Sequence, residues 1–190
     1  MQRPFICDTT YSHEDFTQNA LPKADYEECV FDHCLFHGGF LDNQNFMDCR
    51  FIECDFTNTN VKHTNFTHCS FEDCKMVGVS FEDCNPTLFS PEFKGCNLTM
   101  ASFYNLTTKN LIFNGCTLVE TDFTEADLTG VLFENSNLER AVFQQTILDK
   151  GDFRTAENFA INPEQNKLVK TQFSRKNLLG LLEKYDIVVT

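Results

Sequence analysis

A chain of 190 residues carries 28 acidic against 15 basic side chains, a formal charge of −13, with ten cysteines and no tryptophan. That length suffices for one domain with a real core, and the negative balance excludes direct binding to nucleic acid or to an anionic membrane, which both need a positive counter-surface. No apolar stretch approaches the ~20 residues that a membrane-spanning helix requires.

Met1 to Thr10 shows neither the basic start nor the apolar run of a secretory signal. The expectation is a cytoplasmic protein whose cysteines stay as thiols or hold metal. Residues 1–20 have no firm register, although Phe16 and Leu21 are five apart; they are expected to form an N-terminal cap over an open edge.

From Tyr26 an apolar residue recurs at every fifth position: Tyr26, Phe31, Phe36, Leu41, Phe46, Phe51, Phe56, Val61, Phe66, Phe71, Met76, Phe81. After a slip of two residues over 82–87 the series resumes at Leu88, Phe93, Leu98 and Phe103 and runs to Phe153, with Thr108 its one polar member. Fifteen of the 21 phenylalanines fall on these centres. A period of five suits neither a helix nor a flat strand, so each unit must join a short extended piece to a turn.

Two residues before most centres the side chain is small, as at Cys29, Cys34, Cys49, Cys54, Thr59, Thr64, Cys96, Ala101 and Thr121. Residues two apart on a strand face the same way, so small and large side chains both point inward. Two residues after the centre Gly or Asn is frequent (Asn43, Asn58, Gly78, Gly95, Asn105, Gly130), residues that tolerate the positive φ of a turn. Cys29, Cys49 and Cys69 are twenty apart, as are Cys34, Cys54 and Cys74. Stacked coils place like above like, so four units close one coil of a square β-helix. The domain reading is a cap over 1–20, a repeat body over 21–157 and a closing segment over 158–190.

Thr121-Asp122-Phe123-Thr124-Glu125-Ala126-Asp127-Leu128-Thr129-Gly130 resembles the pentapeptide-repeat family, with its small-(Asp/Asn)-(Leu/Phe)-x-x pattern. The resemblance implies an all-β fold, a right-handed quadrilateral β-helix. Phe81-Glu82-Asp83-Cys84-Asn85-Pro86, and Asn162-Pro163-Glu164-Gln165 through Phe173 followed by a helix, are similar to the antibiotic-immunity and quinolone-resistance branch, above all the albicidin and microcin immunity proteins. That branch implies protection of a type II topoisomerase, DNA gyrase, by a non-enzymatic DNA mimic.

Pro86 in the slip predicts a local bulge, either a tolerated insertion or a contact loop. From Ser174, a candidate N-cap, Leu178, Leu181, Leu182 and Tyr185 follow helical spacing and predict an amphipathic α-helix of about twelve residues. Leu178, Leu179, Leu181, Leu182, Tyr185, Ile187 and Val189 offer more apolar surface than one coil end uses, which predicts a homodimer through this tail, as the resembling proteins form.

Catalytic chemistry finds no candidate: there is no phosphate loop, no nucleophile with a base and no metalloprotease motif. His33 beside Cys34 and His68 beside Cys69 do not make metal sites, because the imidazoles fall in the turn column and the thiols in the inward one; no metal or cofactor is expected. The charge lies mainly in the first half, 15 acidic against 5 basic over residues 1–90. Folding by twenty places Asp32, Glu53, Glu72 and Asp73 along one face and Asp42, Glu82 and Asp83 along another. Such stripes on a narrow rod suit a basic groove built for DNA. They equally serve solubility, or leave a scaffold that binds proteins through a flat face.

Overall fold

Four short extended pieces and four corners return the backbone above itself, and the register between coils fixes the architecture. The computed structural model describes residues 3–185, 187 and 188. One parallel sheet holds β1 (Phe5–Cys7), β3 (Asp25–Glu27), β5 (Asn45–Met47) and β7 (Asn65–Thr67). A second holds β2 (Thr10–Ser12), β4 (Val30–Asp32), β6 (Arg50–Ile52), β8 (Ser70–Glu72), β9 (Glu92–Lys94), β10 (Ile112–Asn114) and β11 (Leu132–Glu134). Phe31 lies opposite Phe51 and Phe51 opposite Phe71, the expected offset of twenty. The other two sides pair through single bridges such as Leu35 with Asp55 and Phe40 with Asn60. The result is a four-sided β-helix, and no described helix is long and apolar enough to cross a membrane.

The N-terminal segment joins this stack in register. β1 pairs with β3 and β2 with β4, and the Tyr11 ring stacks on Phe31 at 4.9 Å and Phe16 on Phe36 at 5.0 Å. At the other end the register continues beyond Phe153, with Asp152 bridging Gln172 and Phe173 stacked on Phe153 at 5.3 Å.

Aromatic columns fill the shaft. One runs unbroken through Tyr11, Phe31, Phe51, Phe71, Phe93, Phe113, Phe133 and Phe153, with neighbouring centroids 4.8 to 5.3 Å apart. Tyr26, Phe46 and Phe66 form a second, and Phe16, Phe36 and Phe56 a third, both confined to the first half. Past the slip the opposite wall takes over with Phe81, Phe103, Phe123 and Phe143. Across the shaft rings meet edge to face, Phe113 against Phe123 at 73°, the arrangement their quadrupoles favour.

The small inward residues do more than leave room. Cys54 Sγ donates to the Phe31 carbonyl, Thr59 Oγ1 to Phe36, Thr121 Oγ1 to Leu98 and Thr146 Oγ1 to Phe123, each across 23 positions. Cys, Ser and Thr thus combine small volume with a donor for the coil beneath. All ten cysteines are free thiols, nine of them buried.

Corners impose positive φ on far more residue types than Gly and Asn. Glu28, His33, Met100, Arg140 and Lys150 all have φ between 51° and 60°. The coil ladder compensates for this strain: Glu28 N–H donates to Met47 O at 3.0 Å, His33 to Ile52 at 2.9 Å and Met100 to Val119 at 2.9 Å.

At the slip the expected centre Leu88 is wrong by one residue. Leu88 is 40% exposed, whereas Phe89 is 4% exposed and bridges Phe66. Two 3-10 turns, Phe81–Asp83 and Pro86–Leu88, consume the extra length at one corner, so Phe89 arrives where Phe66 needs a partner and Phe93 follows after only four residues. Ser70 then pairs with Glu92 and the ladder proceeds.

Candidate functional site

Acidic side chains on this rod fall into two groups with different work. Asp55, Asp122, Asp127 and Asp152, and Asn97 with them, each accept the backbone N–H two residues on at 2.8 to 3.1 Å, an Asx turn that shapes the corner. These belong to the scaffold. The corner and outward-strand carboxylates of the first coils are free of that duty and form the candidate interface.

That interface is the outer face of β2, β4, β6 and β8 with the corners flanking it. Asp32 and Glu72 stand on the strands, with Ile52 between them. His13, His33, Glu53 and Asp73 line one flanking corner and Asp8, Glu28 and Asp48 the other, all at positive φ. The run Asp8, Glu28, Asp48 escaped the sequence reading; its signal was the same twenty-residue spacing applied to the turn column. Stripe one therefore gathers Asp32, Glu53, Glu72 and Asp73 as expected, but ends where Lys94 pairs beside Glu72.

Several of these carboxylates already have partners. Asp32 Oδ1 lies 2.9 Å from His33 Nδ1, Glu53 Oε2 lies 3.1 Å from His33 Nε2 and Glu72 Oε1 lies 3.3 Å from Arg50. The hydrogen bond from His33 holds the Asp32 carboxyl below its ordinary range, and the same bond raises the imidazole, with Glu53 adding to the rise. Asp73 has no ion-pair partner among the described residues.

The second expected stripe is less uniform. Asp42 sits 2.8 Å from Lys23, whose hydrogen bond lowers the carboxyl pKa. Lys62 occupies the position between Asp42 and Glu82 in the twenty-residue series. Glu82 and Asp83 are exposed on the 3-10 turn of the slip.

The closing segment is helical where expected but winds as 3-10 turns, Arg175–Leu181 and Glu183–Tyr185, not as an α-helix. Contacts with the last coil dictate this. Asn177 Nδ2 donates to the carbonyls of Phe153 and Ala156, Ile161 N–H donates to Gly180 O at 2.8 Å, and Gly180 lies so close to Phe159 that a Cβ would strike it. A three-residue period therefore turns Ser174, Asn177 and Gly180 to the coil end. Ser174 flanks the helix without a side-chain capping bond. Leu181 packs against the core, so it is covered by its own chain, while Leu178, Leu179, Leu182, Tyr185 and Ile187 are exposed. Val189 lies outside the described residues. Glu164 binds Lys184 at 2.6 Å and Tyr185 Oη at 3.0 Å, fastening the tail, and its pKa is lowered accordingly.

The family profile described as Pentapeptide repeat region matches residues 44–110 and 86–181. The chain belongs to the pentapeptide-repeat family. Among solved structures, trypsin-treated QnrB1, a plasmid-mediated fluoroquinolone resistance protein, superposes with a TM-score of 0.59 at 19% identity, covering 100% of this chain and 95% of that one. Full-length QnrB1 gives 0.42 at 17%, covering 96% and 100%. HetL of Nostoc sp. strain PCC 7120, a pentapeptide-repeat protein involved in heterocyst differentiation regulation, gives 0.42 at 12%, covering 90% and 88%. No curated protein matches by sequence. This pentapeptide-repeat protein thus has the family's right-handed quadrilateral β-helix.

Proposed function

We propose that this pentapeptide-repeat protein is a cytoplasmic, non-enzymatic DNA mimic that occupies the DNA-binding groove of a type II topoisomerase, DNA gyrase, and so protects the enzyme from an antibiotic or toxin. The observation that carries this reading is the acidic face of the first four coils, where Glu28 with Asp48 and Glu53 with Asp73 repeat at coil spacing and Asp32 and Glu72 stand two coils apart on a stiff rod. Coils about 4.8 Å apart offer a basic groove regularly spaced charge, and the Lys and Arg that would neutralise phosphates can pair with it instead. A fold shared with a fluoroquinolone resistance protein supports the choice of target. The exposed tail leucines support a homodimer whose two-fold axis would match a two-fold enzyme.

The test is a gyrase supercoiling assay with added protein, with and without a gyrase poison, comparing wild type with Glu28→Lys, Asp48→Lys and Asp73→Lys combined. Lysine is compatible with these corners, since Lys150 and Lys170 already adopt the same conformation. Protection should be lost in the triple variant and should weaken steeply with salt. Equal activity of the two proteins would remove the acidic face from the mechanism.

A scaffold reading is favoured by one separate feature. Phe5 and Phe40 are 62% and 67% exposed, and Phe5, Met47 and Leu88 line a shallow apolar groove on the sheet of β1, β3, β5 and β7. A partner seated there would bind with little dependence on ionic strength.

A further inference from the structure

We infer that the N-terminal corner holds a divalent transition-metal ion between the first and second coils, with His13, His33 and Asp32 as ligands. Twenty residues separate the two histidines, so the coil register stacks their rings at 4.9 Å. One ligand atom from each of His13, Asp32 and His33 lies within 4.8 Å of the others. Bonds of about 2.0 to 2.1 Å to a tetrahedral ion require donors about 3.3 Å apart. Exposed side chains on a fixed backbone close that difference by rotating.

The surroundings are those of a ligating imidazole. His33 has a carboxylate against each ring nitrogen, Asp32 Oδ1 at Nδ1 and Glu53 Oε2 at Nε2. With Nδ1 on the metal beside Asp32, Nε2 keeps the Glu53 carboxylate, which fixes the ring and strengthens the donor. Asp32 is itself oriented by Ser12 Oγ at 3.2 Å. Two imidazoles with one carboxylate suit zinc, cobalt or nickel and not magnesium or calcium, and water completes the shell. No thiol takes part, since Cys34 points into the shaft toward the Tyr11 and Asp32 carbonyls. The sequence reading compared each histidine only with its neighbouring cysteine; the coil supplies the true neighbour twenty positions away.

Such an ion would staple the terminal coil, where Ile6, Tyr11 and Phe16 are only partly buried, to the coil beneath it. Untagged protein titrated calorimetrically with Zn²⁺ should bind one equivalent. His13→Asn and His33→Asn should each weaken binding by at least about tenfold. Asparagine already occupies such corners at Asn43 and Asn58, so both variants keep the backbone, and unchanged circular dichroism without metal checks this. His68→Asn, which alters an imidazole 3.5 Å from Asp48 with no second histidine, should leave affinity unchanged. With Co²⁺ no thiolate charge-transfer band should appear. Failure of the wild type to bind, equal affinity of His13→Asn and wild type, or a thiolate band pointing to exposed Cys7 would each overturn the site.

Discussion

Phe113 and Phe133, twenty residues apart in sequence, stack with centroids 5.2 Å apart and planes 4° from parallel. Their contact is the repeat made physical: the same residue of successive coils meets face to face along the axis.

Removing one ring from such a column opens a void that its neighbours cannot fill. Phe51 sits between Phe31 at 4.9 Å and Phe71 at 4.8 Å and is fully buried. Phe51→Ala should destabilise by about 3–5 kcal/mol in urea unfolding. Phe5→Ala, at an exposed site, should stay within about 0.5 kcal/mol. A loss near zero at Phe51 would contradict the packed shaft.

Corner strain predicts a stabilising change. Met100 holds φ 58° with its side chain exposed, so Met100→Asn should raise stability by up to about 1 kcal/mol. Gly130→Ala should act in the opposite sense by about 1–2 kcal/mol, because φ is 79° and the new Cβ would meet Asn110 Oδ1. Thermal melts of the two variants provide the comparison.

Thiol chemistry should separate Cys7 from the rest. Burial pushes the Cys49 thiol up to about 12 and Cys69 well above its ordinary value, and close packing shields the other shaft thiols from reagent. A thiol reagent should modify one cysteine in the native protein and all ten after denaturation. Fewer than ten after denaturation would reveal a disulfide.

His33 makes stability depend on pH in a definite direction. The bond to Asp32, aided by Glu53, raises its pKa in the folded protein. The folded state therefore holds the proton more tightly, so the contribution is complete below the unfolded value near 6.5 and fades as pH rises through the raised one. In metal-free buffer the Tm gap between wild type and His33→Asn should be present at pH about 5.5 and close by about 9. A gap that widens toward alkaline pH would refute this ion pair.

The tail predicts association. Leu178, Leu179 and Leu182 are exposed with no described segment over them, so light scattering at micromolar concentration should give a dimer mass, and Leu179→Glu with Leu182→Glu a monomer.

The fold was legible because one period governs it: once cysteines fixed the coil at twenty, Tyr26, Phe46 and Phe66 had to stack. Leu88 misled because its spacing from Phe93 kept the beat, while two 3-10 turns shifted the inward place to Phe89. At the tail the helix type was set by Asn177 and Gly180 meeting the last coil, contacts that leucine spacing does not record. The acidic face was only half read. Asp8, Glu28 and Asp48 stand in a column that was examined for Gly and Asn, and Lys62 and Lys94 interrupt stripes that were traced through acids alone.

The change of aromatic wall at the slip governs how such a molecule can be rebuilt. Rings occupy three sides before it and two opposite sides after it, so a coil transplanted across that boundary would set leucine over phenylalanine on at least one wall and leave gaps. Transplants within either half keep ring over ring. The slip is thus a joint between two incompatible bores, and a duplicated coil can lengthen this shaft only within the half it was copied from.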